Sequence, residues 1–220
     1  IDKNINTVSI GMILLGIISC FIAFSYDSHA AWTNLLFNNY FFLGISLFAV
    51  FFVALQYVAE AGWSTVLKRV PEAIMTFLPY TSAIMLFIVI TAVLHFGGNH
   101  IYHWLEPGIM TEGSSNYDAI IAGKEPYLNA TFFLIRSFVY VFIWNYCAKK
   151  IRDLSLQGDL EGEIGEKSYW KGLKVSGWFI VFFAVTSSTA AWDWIMSIDT
   201  HWFSTMFGWY VFASWFVAGL

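Results

Sequence analysis

The feature that most constrains this chain is a series of six apolar segments, each close to the length that crosses a lipid bilayer. A spanning helix needs about 20 mostly apolar residues. The composition agrees, because 58% of the 220 residues are hydrophobic and 12% are charged, against about 25% charged in soluble domains. Unpaired backbone is not tolerated in lipid, so each segment should be helical. We therefore predict an all-α, polytopic transmembrane bundle with spans near residues 5–26, 40–59, 73–96, 129–148, 175–196 and 205–220.

The sequence begins at Ile1 and stops at Leu220 within an apolar run. We expect a single transmembrane helical domain over residues 1–220 that belongs to a longer chain. Pro79 lies one-third of the way into the third predicted span. Proline removes a backbone donor and clashes with the preceding turn, so we predict a kink or a late start there.

The distribution of lysine and arginine predicts an orientation. Basic residues concentrate in cytoplasmic loops of membrane proteins. If the N-terminus is cytoplasmic, Lys124 is the one basic loop residue on the outer side, and Arg136 lies within a span. The residues that then fall on the cytoplasmic side are Lys3, Lys68, Arg69, Lys149, Lys150, Arg152, Lys167, Lys171 and Lys174. The charged connection 149–172 would be a cytoplasmic loop, and the long connection 97–128 would lie outside.

Ionisable residues inside the spans are the candidates for function. Asp193 stands between two tryptophans, about 10 Å from the middle of its span at 1.5 Å per residue. Arg136 lies close to mid-membrane, and His95 lies near the outer end of the third span. Charged groups in hydrocarbon are expensive and tend to mark ion or substrate pathways. We therefore predict a proton path that includes Asp193, Arg136 and His95.

Further polar residues extend this predicted path. Thr186 and Thr189 share one helical face with Asp193, by the i, i+3, i+7 spacing. The remaining candidates lie near the two membrane boundaries: Glu60, Glu72, Asp199 and His201. Structural roles compete with this interpretation. The hydroxyls could join helices, the two glutamates could pair with Lys68 or Arg69, Asp199 and His201 could be surface residues, and Arg136 could pair statically with Asp193.

Several classes of function find no support in the sequence. There is no basic cluster that alternates with aromatics, so no nucleic-acid partner is expected. Cys20 and Cys147 are too few to hold an iron–sulfur cluster. Motifs for phosphate loops, zinc proteases and serine hydrolases are absent from the sequence. We expect no catalytic residue, no metal and no redox cofactor in this chain.

Two long strings resemble a known family. LQYVAEAGWSTVLKRVPEAIM (55–75) and WDWIMSIDTHWFSTMFGWYVF (192–212) closely resemble an integral membrane subunit of bacterial alternative complex III, the NrfD/PsrC-like partner of its quinol-site subunit. The chain would cover the N-terminal part of such a protein. The resemblance implies a four-helix-bundle core and a place in the bacterial inner membrane. Glu72, Asp193, Asp199 and His201 lie inside the matching strings.

The resemblance also implies partners. Haem c subunits and an iron–sulfur subunit would carry electrons, and a related membrane subunit would hold the quinol site. This chain would be a cofactor-free membrane subunit of a quinol:electron-acceptor oxidoreductase, surrounded by lipid, that provides a proton half-channel. Two alternatives stay open: a quinol-binding subunit that takes part in the active site, and a purely structural membrane scaffold.

Overall fold

The computed structural model describes residues 3–161 and 166–220, and every regular element in these ranges is helical. Short 3-10 turns connect several of the α-helices. In these ranges the α-helices are α1 (Lys3–Tyr26), α2 (Ser28–Val58), α3 (Arg69–Ile74), α4 (Leu78–Val93), α5 (Ala119–Ala122), α6 (Ala130–Glu161), α7 (Glu166–Trp194) and α8 (Phe207–Gly219). The predicted all-α bundle is therefore confirmed.

Five helical stretches within the described ranges are long and apolar enough to cross a membrane: α1, α2, α3 with α4, α6 and α7. The protein is therefore a multi-pass membrane protein. The sixth predicted segment forms α8, which is apolar but only 13 residues long. At about 1.5 Å per residue this helix is shorter than the ~30 Å hydrocarbon core.

The predicted boundaries were too narrow for α2. The expected connection 27–39 is helical from Ser28, because Asp27 caps the helix and its carboxylate accepts a hydrogen bond from the Ala30 backbone N–H at 3.1 Å. Apolar patterning marks the part of a helix that suits lipid. It does not mark the three more polar turns over residues 28–39, which begin at a capping side chain.

The predicted loop 149–172 is also largely helical. The helix α6 continues to Glu161 and α7 begins at Glu166, while residues 162–165 of that predicted loop lie outside the described part of the chain. Lysine, arginine, leucine and glutamine favour helix, so these charged stretches extend both helices beyond their apolar parts.

The prediction at Pro79 is confirmed. The helix α3 gives way to a 3-10 turn (Met75–Phe77), and α4 begins at Leu78 with Pro79 in its first turn. Proline is tolerated there because the first N–H groups of a helix have no partner within the helix.

Each spanning helix runs opposite to the one before it, which gives the bundle two ends. The Asp193 end holds the start of α2, the end of α4, the start of α6 and the end of α7. The Glu72 end holds the connection 59–68, α3 and the charged extensions of α6 and α7. Contacts across the chain define both ends: Trp32 donates to the Gly97 carbonyl at one, and Lys68 pairs with Asp159 at the other.

The core lies where α2 and α7 meet, with α4, α6 and α8 around them. By contrast, α1 is almost entirely exposed and contacts the rest through Phe24, whose ring meets Trp32 edge-on at 4.8 Å. Close helix approach depends on small residues, as is usual in membrane bundles. Gly44 of α2 lies directly against the indole of Trp215 of α8.

We expect Gly44→Ala to destabilise the protein, because a Cβ there would lie 2.1 Å from the Trp215 ring. Overpacking of this kind typically costs about 1–3 kcal/mol. The measurement is the midpoint of thermal unfolding in mild detergent. Gly16→Ala is the matched control, since Gly16 is also helical and a Cβ there would have no neighbouring atom within 4 Å. A similar midpoint for both variants would contradict the proposed tight α2–α8 contact.

Candidate functional site

The site centres on a buried ion pair between α6 and α7. Arg136 donates from Nε to Asp193 Oδ2 at 2.7 Å and from Nη2 to Oδ1 at 2.8 Å. Asp193 is 0% exposed and Arg136 is 9% exposed. The guanidinium fork matches the two carboxylate oxygens, which gives short, directional, charge-assisted bonds. The structure therefore brings together Arg136 and Asp193, the two charged residues that were predicted within the spans.

The rest of the guanidinium group is also engaged. Its Nη1 donates to the Tyr127 carbonyl at 3.1 Å. The Tyr127 and Phe132 rings lie 4.0 Å and 4.1 Å from the guanidinium carbon. Arginine stacks well on aromatic faces. These contacts hold the guanidinium in place in addition to its bonds with the carboxylate.

Tyr140 is a site residue that sequence reasoning missed. Its hydroxyl donates to Asp193 Oδ2 at 2.9 Å. Arg136, Tyr140 and Trp144 are spaced by four residues on α6, so they share one face of that helix. That spacing was available in the sequence. Charge and short hydroxyls alone do not distinguish Tyr140 from the other aromatics.

An aromatic cluster encloses this ion pair and ties it to the backbone. Tyr140, Trp144 and Trp194 pack with ring centroids 5.8–6.0 Å apart. Trp194 donates to Ser137 Oγ at 2.9 Å. The Tyr102 hydroxyl donates to the Trp194 carbonyl at 3.0 Å. The ion pair is thus surrounded by rings whose own polar atoms are bonded.

The two predicted threonines lie on the same helix as Asp193, one to two turns away. Thr186 accepts a hydrogen bond from Trp144 Nε1 at 2.9 Å and donates to the Phe182 carbonyl. Thr189 donates to the Val185 carbonyl at 3.1 Å. Both hydroxyls bond their own helix, and Thr186 also joins α7 to α6.

The segment 94–129 folds over the Asp193 end. Asn99 is fully buried and donates to the Ile88 carbonyl and to Thr91 Oγ1. His95 ends α4 in a left-handed conformation (φ +51°), and its ring stacks on His100 with centroids 5.6 Å apart. Arg136 and Tyr140 donate to the Asp193 carboxylate, and among the described residues His95 makes no hydrogen bond with it.

The two predicted boundary residues of this end lie in the loop after α7. The Asp199 carboxylate accepts from the His201 backbone N–H at 3.2 Å. His201 Nε2 lies 2.8 Å from Asp118 Oδ2. Asp118 also caps α5 through the N–H groups of Ile120 and Ile121. His201 therefore links the loop after α7 to the segment 94–129.

The predicted glutamates lie at the opposite end. Glu72 is 2% exposed and forms an ion pair with Arg69, which also pairs with Asp159 on the α6 extension. The second carboxylate oxygen of Glu72, Oε1, is buried and has no hydrogen-bond partner among residues 3–161 and 166–220. Glu60 is exposed, with φ +48°, in the connection after α2. Of these two glutamates, Glu72 is the one that burial and an ion pair hold in place.

A phenylalanine layer, formed by Phe51, Phe179 and Phe183, interrupts the polar groups on the inner face of α7. On α7, Phe179 and Phe183 are buried and stacked, with centroids 5.6 Å apart, and Phe51 of α2 stacks on Phe183 at 5.1 Å. These rings lie between Thr186 and Ser176, the next buried hydroxyl toward the Glu72 end. The polar groups on this face of α7 therefore do not form a continuous row.

A cavity of about 250 Å³ opens beside Tyr127 at the Asp193 end. Four aromatic residues contribute to its wall, which also includes Lys124, whose ammonium donates to the Thr200 carbonyl. The Trp192 indole N–H is buried there without a partner. The aromatic lining residues are Tyr127, Trp192, Trp202 and Phe203. The cavity could hold a flat, amphipathic ring.

Neither cysteine is paired, and Cys20 is exposed whereas Cys147 is buried. Across residues 3–161 and 166–220, no group of three or more histidine, cysteine, aspartate or glutamate side chains is placed to hold a metal ion.

Comparisons with known proteins add no family assignment. No protein-family model matches the chain, and no curated protein gives a significant match.

The ion pair gives a prediction about stability. Asp193→Leu leaves the Arg136 charge buried without its partner, and breaking a buried pair in this way costs about 3–5 kcal/mol. The double variant Arg136→Met with Asp193→Leu removes both charges and should recover most of that loss. The measurement is the fraction of monodisperse protein that survives heating in detergent. A double variant as unstable as the single one would show that the pair is not the cause.

Asp118 gives a prediction about pH. The backbone N–H of Ile121 holds the pKa of this carboxyl below its usual value, against the opposing effect of burial, and Ile120 and His201 act in the same direction as Ile121. Because the folded-state pKa is lowered, this stabilisation is present above the ordinary carboxyl pKa of about 4. It is lost as the pH falls through the lowered value.

We therefore expect Asp118→Ala to lower the thermal midpoint at neutral pH and to have less effect as the pH falls below about 4. The control is Asp153→Ala, an exposed carboxylate at the Glu72 end. A deficit in Asp118→Ala that stayed constant into acid would argue against an ionised cap.

Proposed function

We propose that this protein is a cofactor-free membrane subunit of a quinol-oxidising electron-transfer complex, as its resemblance to a membrane protein of alternative complex III implies. Its place would be the bacterial inner membrane, with the N-terminus cytoplasmic, α8 forming part of a sixth span, and haem c, iron–sulfur and quinol-site subunits as partners. Within it, the Arg136–Asp193 pair is the inner end of a proton half-channel that opens at the Asp193 end.

The observation that carries this proposal is the burial of Asp193 against Arg136 and Tyr140. A carboxylate held at depth in a membrane bundle is expensive, and ionisable residues in this setting are functional candidates by default. The Tyr140 hydroxyl bonds the same oxygen as Arg136 Nε. A proton that reaches the carboxylate therefore has a bonded hydroxyl beside it.

The phenylalanine layer supports a half-channel over a continuous one. The Tyr140 hydroxyl on α6 bonds Asp193, and Thr189 and Thr186 follow Asp193 along α7. Phe183 and Phe179 come next on α7. Proton exchange would thus occur with the Asp193 end. The buried Glu72 and its unpartnered oxygen would serve the other end separately.

A second candidate function is quinol binding in this chain. It is supported by the cavity beside Tyr127, where Tyr127, Trp192, Trp202 and Phe203 offer flat apolar faces to a quinone ring. The cavity adjoins the ion pair through Tyr127, whose ring stacks on Arg136. A flat head group there would lie close to a charged pair.

The experiment has two stages. First, the tagged full chain is purified from its native membrane under mild conditions, and the co-purifying proteins are examined for haem c, iron–sulfur clusters and quinol oxidation. Purification without a quinol-oxidising complex would overturn the proposed assembly.

Second, Asp193→Asn is placed in the assembled complex, and proton release per quinol oxidised is measured in vesicles. We expect at least a tenfold loss of proton-coupled turnover with unchanged haem content, because asparagine keeps the shape of aspartate but carries no titratable proton. Glu112→Gln is the matched control, since it removes an exposed carboxylate of the segment 94–129 at the same end, outside the predicted proton path.

The outcomes separate the candidates. Normal proton release in assembled Asp193→Asn would overturn the half-channel and leave a scaffold, a role that the fully bonded carboxylate also suits. A raised KM for quinol in Trp192→Ala, with unchanged proton stoichiometry in Asp193→Asn, would favour quinol binding instead.

A further inference from the structure

A long groove runs along the outside of the bundle between α4 and α6. Its volume is about 700 Å³, and its wall is mainly apolar. Pro79 and Leu86 line one side, and Phe138 and Phe142 line the other. It is separate from the ion pair, because Arg136 and Asp193 do not line it.

The α6 side of the groove changes character along its length. The lining residues Phe138, Phe142, Asn145, Lys149 and Arg152 follow the spacing i, i+4, i+7, i+11 and i+14, which places them on one helical face. Two aromatic rings therefore come first, then an amide, then two cations. This order matches an amphipathic molecule that lies parallel to the helix.

The dimensions suit one leaflet of a membrane. From Phe138 to Lys149 is eleven residues, or about 16 Å at 1.5 Å per residue. Half of a bilayer's hydrocarbon core is about 15 Å. An acyl chain seated on the rings would thus reach its head group at the level of Lys149 and Arg152.

The charge at this end favours an anion. Lys149 and Arg152 are exposed and line the groove, and Asp153 is the carboxylate that lines it beside them. Lys150, the next residue along, is also exposed. Lysine and arginine near a membrane surface attract anionic lipid head groups, and long basic side chains reach outward from apolar stems.

Asn145 adds a polar contact at intermediate depth. Its amide nitrogen donates to Ser82 Oγ and to the Val141 carbonyl, both at 2.8 Å. Its side-chain oxygen is buried without a hydrogen-bond partner. Asn145 therefore joins α6 to α4 about one helical turn from Lys149 and holds the two walls of the groove together.

We propose that the α4–α6 groove binds an anionic phospholipid. The phosphate pairs with Lys149 and Arg152, and an acyl chain packs along Phe142 and Phe138. The site is independent of the proposed proton path.

The test is native mass spectrometry of the full chain after exposure to phosphatidylglycerol or phosphatidylcholine in mixed micelles. We expect the protein to retain phosphatidylglycerol under conditions that remove phosphatidylcholine. In Lys149→Gln with Arg152→Gln, retention should fall about tenfold or more. Each cation near an anionic surface contributes about fivefold in affinity, and the variant removes two.

Two further variants make the test specific. Lys167→Gln with Lys171→Gln removes the same charge from α7 at the same end of the bundle, outside the groove, and should retain lipid. Ala83→Trp fills the groove without changing charge and should displace lipid. Equal retention of both lipids, or equal loss in the α7 control, would overturn the proposal. A photo-crosslink from position 142 to a second protein instead of lipid would also overturn it.

Discussion

The structure depends on one interaction, the ion pair that joins α6 to α7 in the interior of the bundle. Arg136 and Asp193 are each too polar to face lipid alone, so each requires the other. The guanidinium uses all three of its nitrogens, two on the carboxylate and one on the Tyr127 carbonyl. This arrangement fixes the rotation of both helices about their axes, and the rings of Tyr140 and Trp194 then pack around it.

The sequence predicted the fold class well because hydropathy determines it. Segments that cross a bilayer must be long, apolar helices, and such segments are visible in the composition of the sequence. Helix ends were predicted less well. The start of α2 depends on a capping contact from Asp27, and the extension of α6 beyond residue 148 depends on helix-forming charged residues in water. Neither contributes to an apolar pattern.

The site was only partly predictable. Depth and rarity of charge identified Arg136 and Asp193. The partners of the pair could not be found in that way, since Tyr140 and Tyr127 resemble the many other aromatics that pack helices. The grouping of His95 with Asp193 rested on depth alone. Residues at one depth can face different neighbours, and His95 instead stacks on His100. The rotation of each helix about its axis determines which neighbours a side chain contacts, and tertiary packing sets that rotation.

The separation of the pair along the chain has a consequence for biosynthesis. Arg136 precedes Asp193 by 57 residues, so the ribosome delivers α6 before its counter-charge exists. An isolated arginine at mid-bilayer costs about 2.5–3.5 kcal/mol on translocon scales. The two helices therefore gain by partitioning into lipid together, as a neutralised couple. We expect them to enter together, whereas α1, which carries no charged residue between Asn4 and Tyr26, can leave the translocon alone.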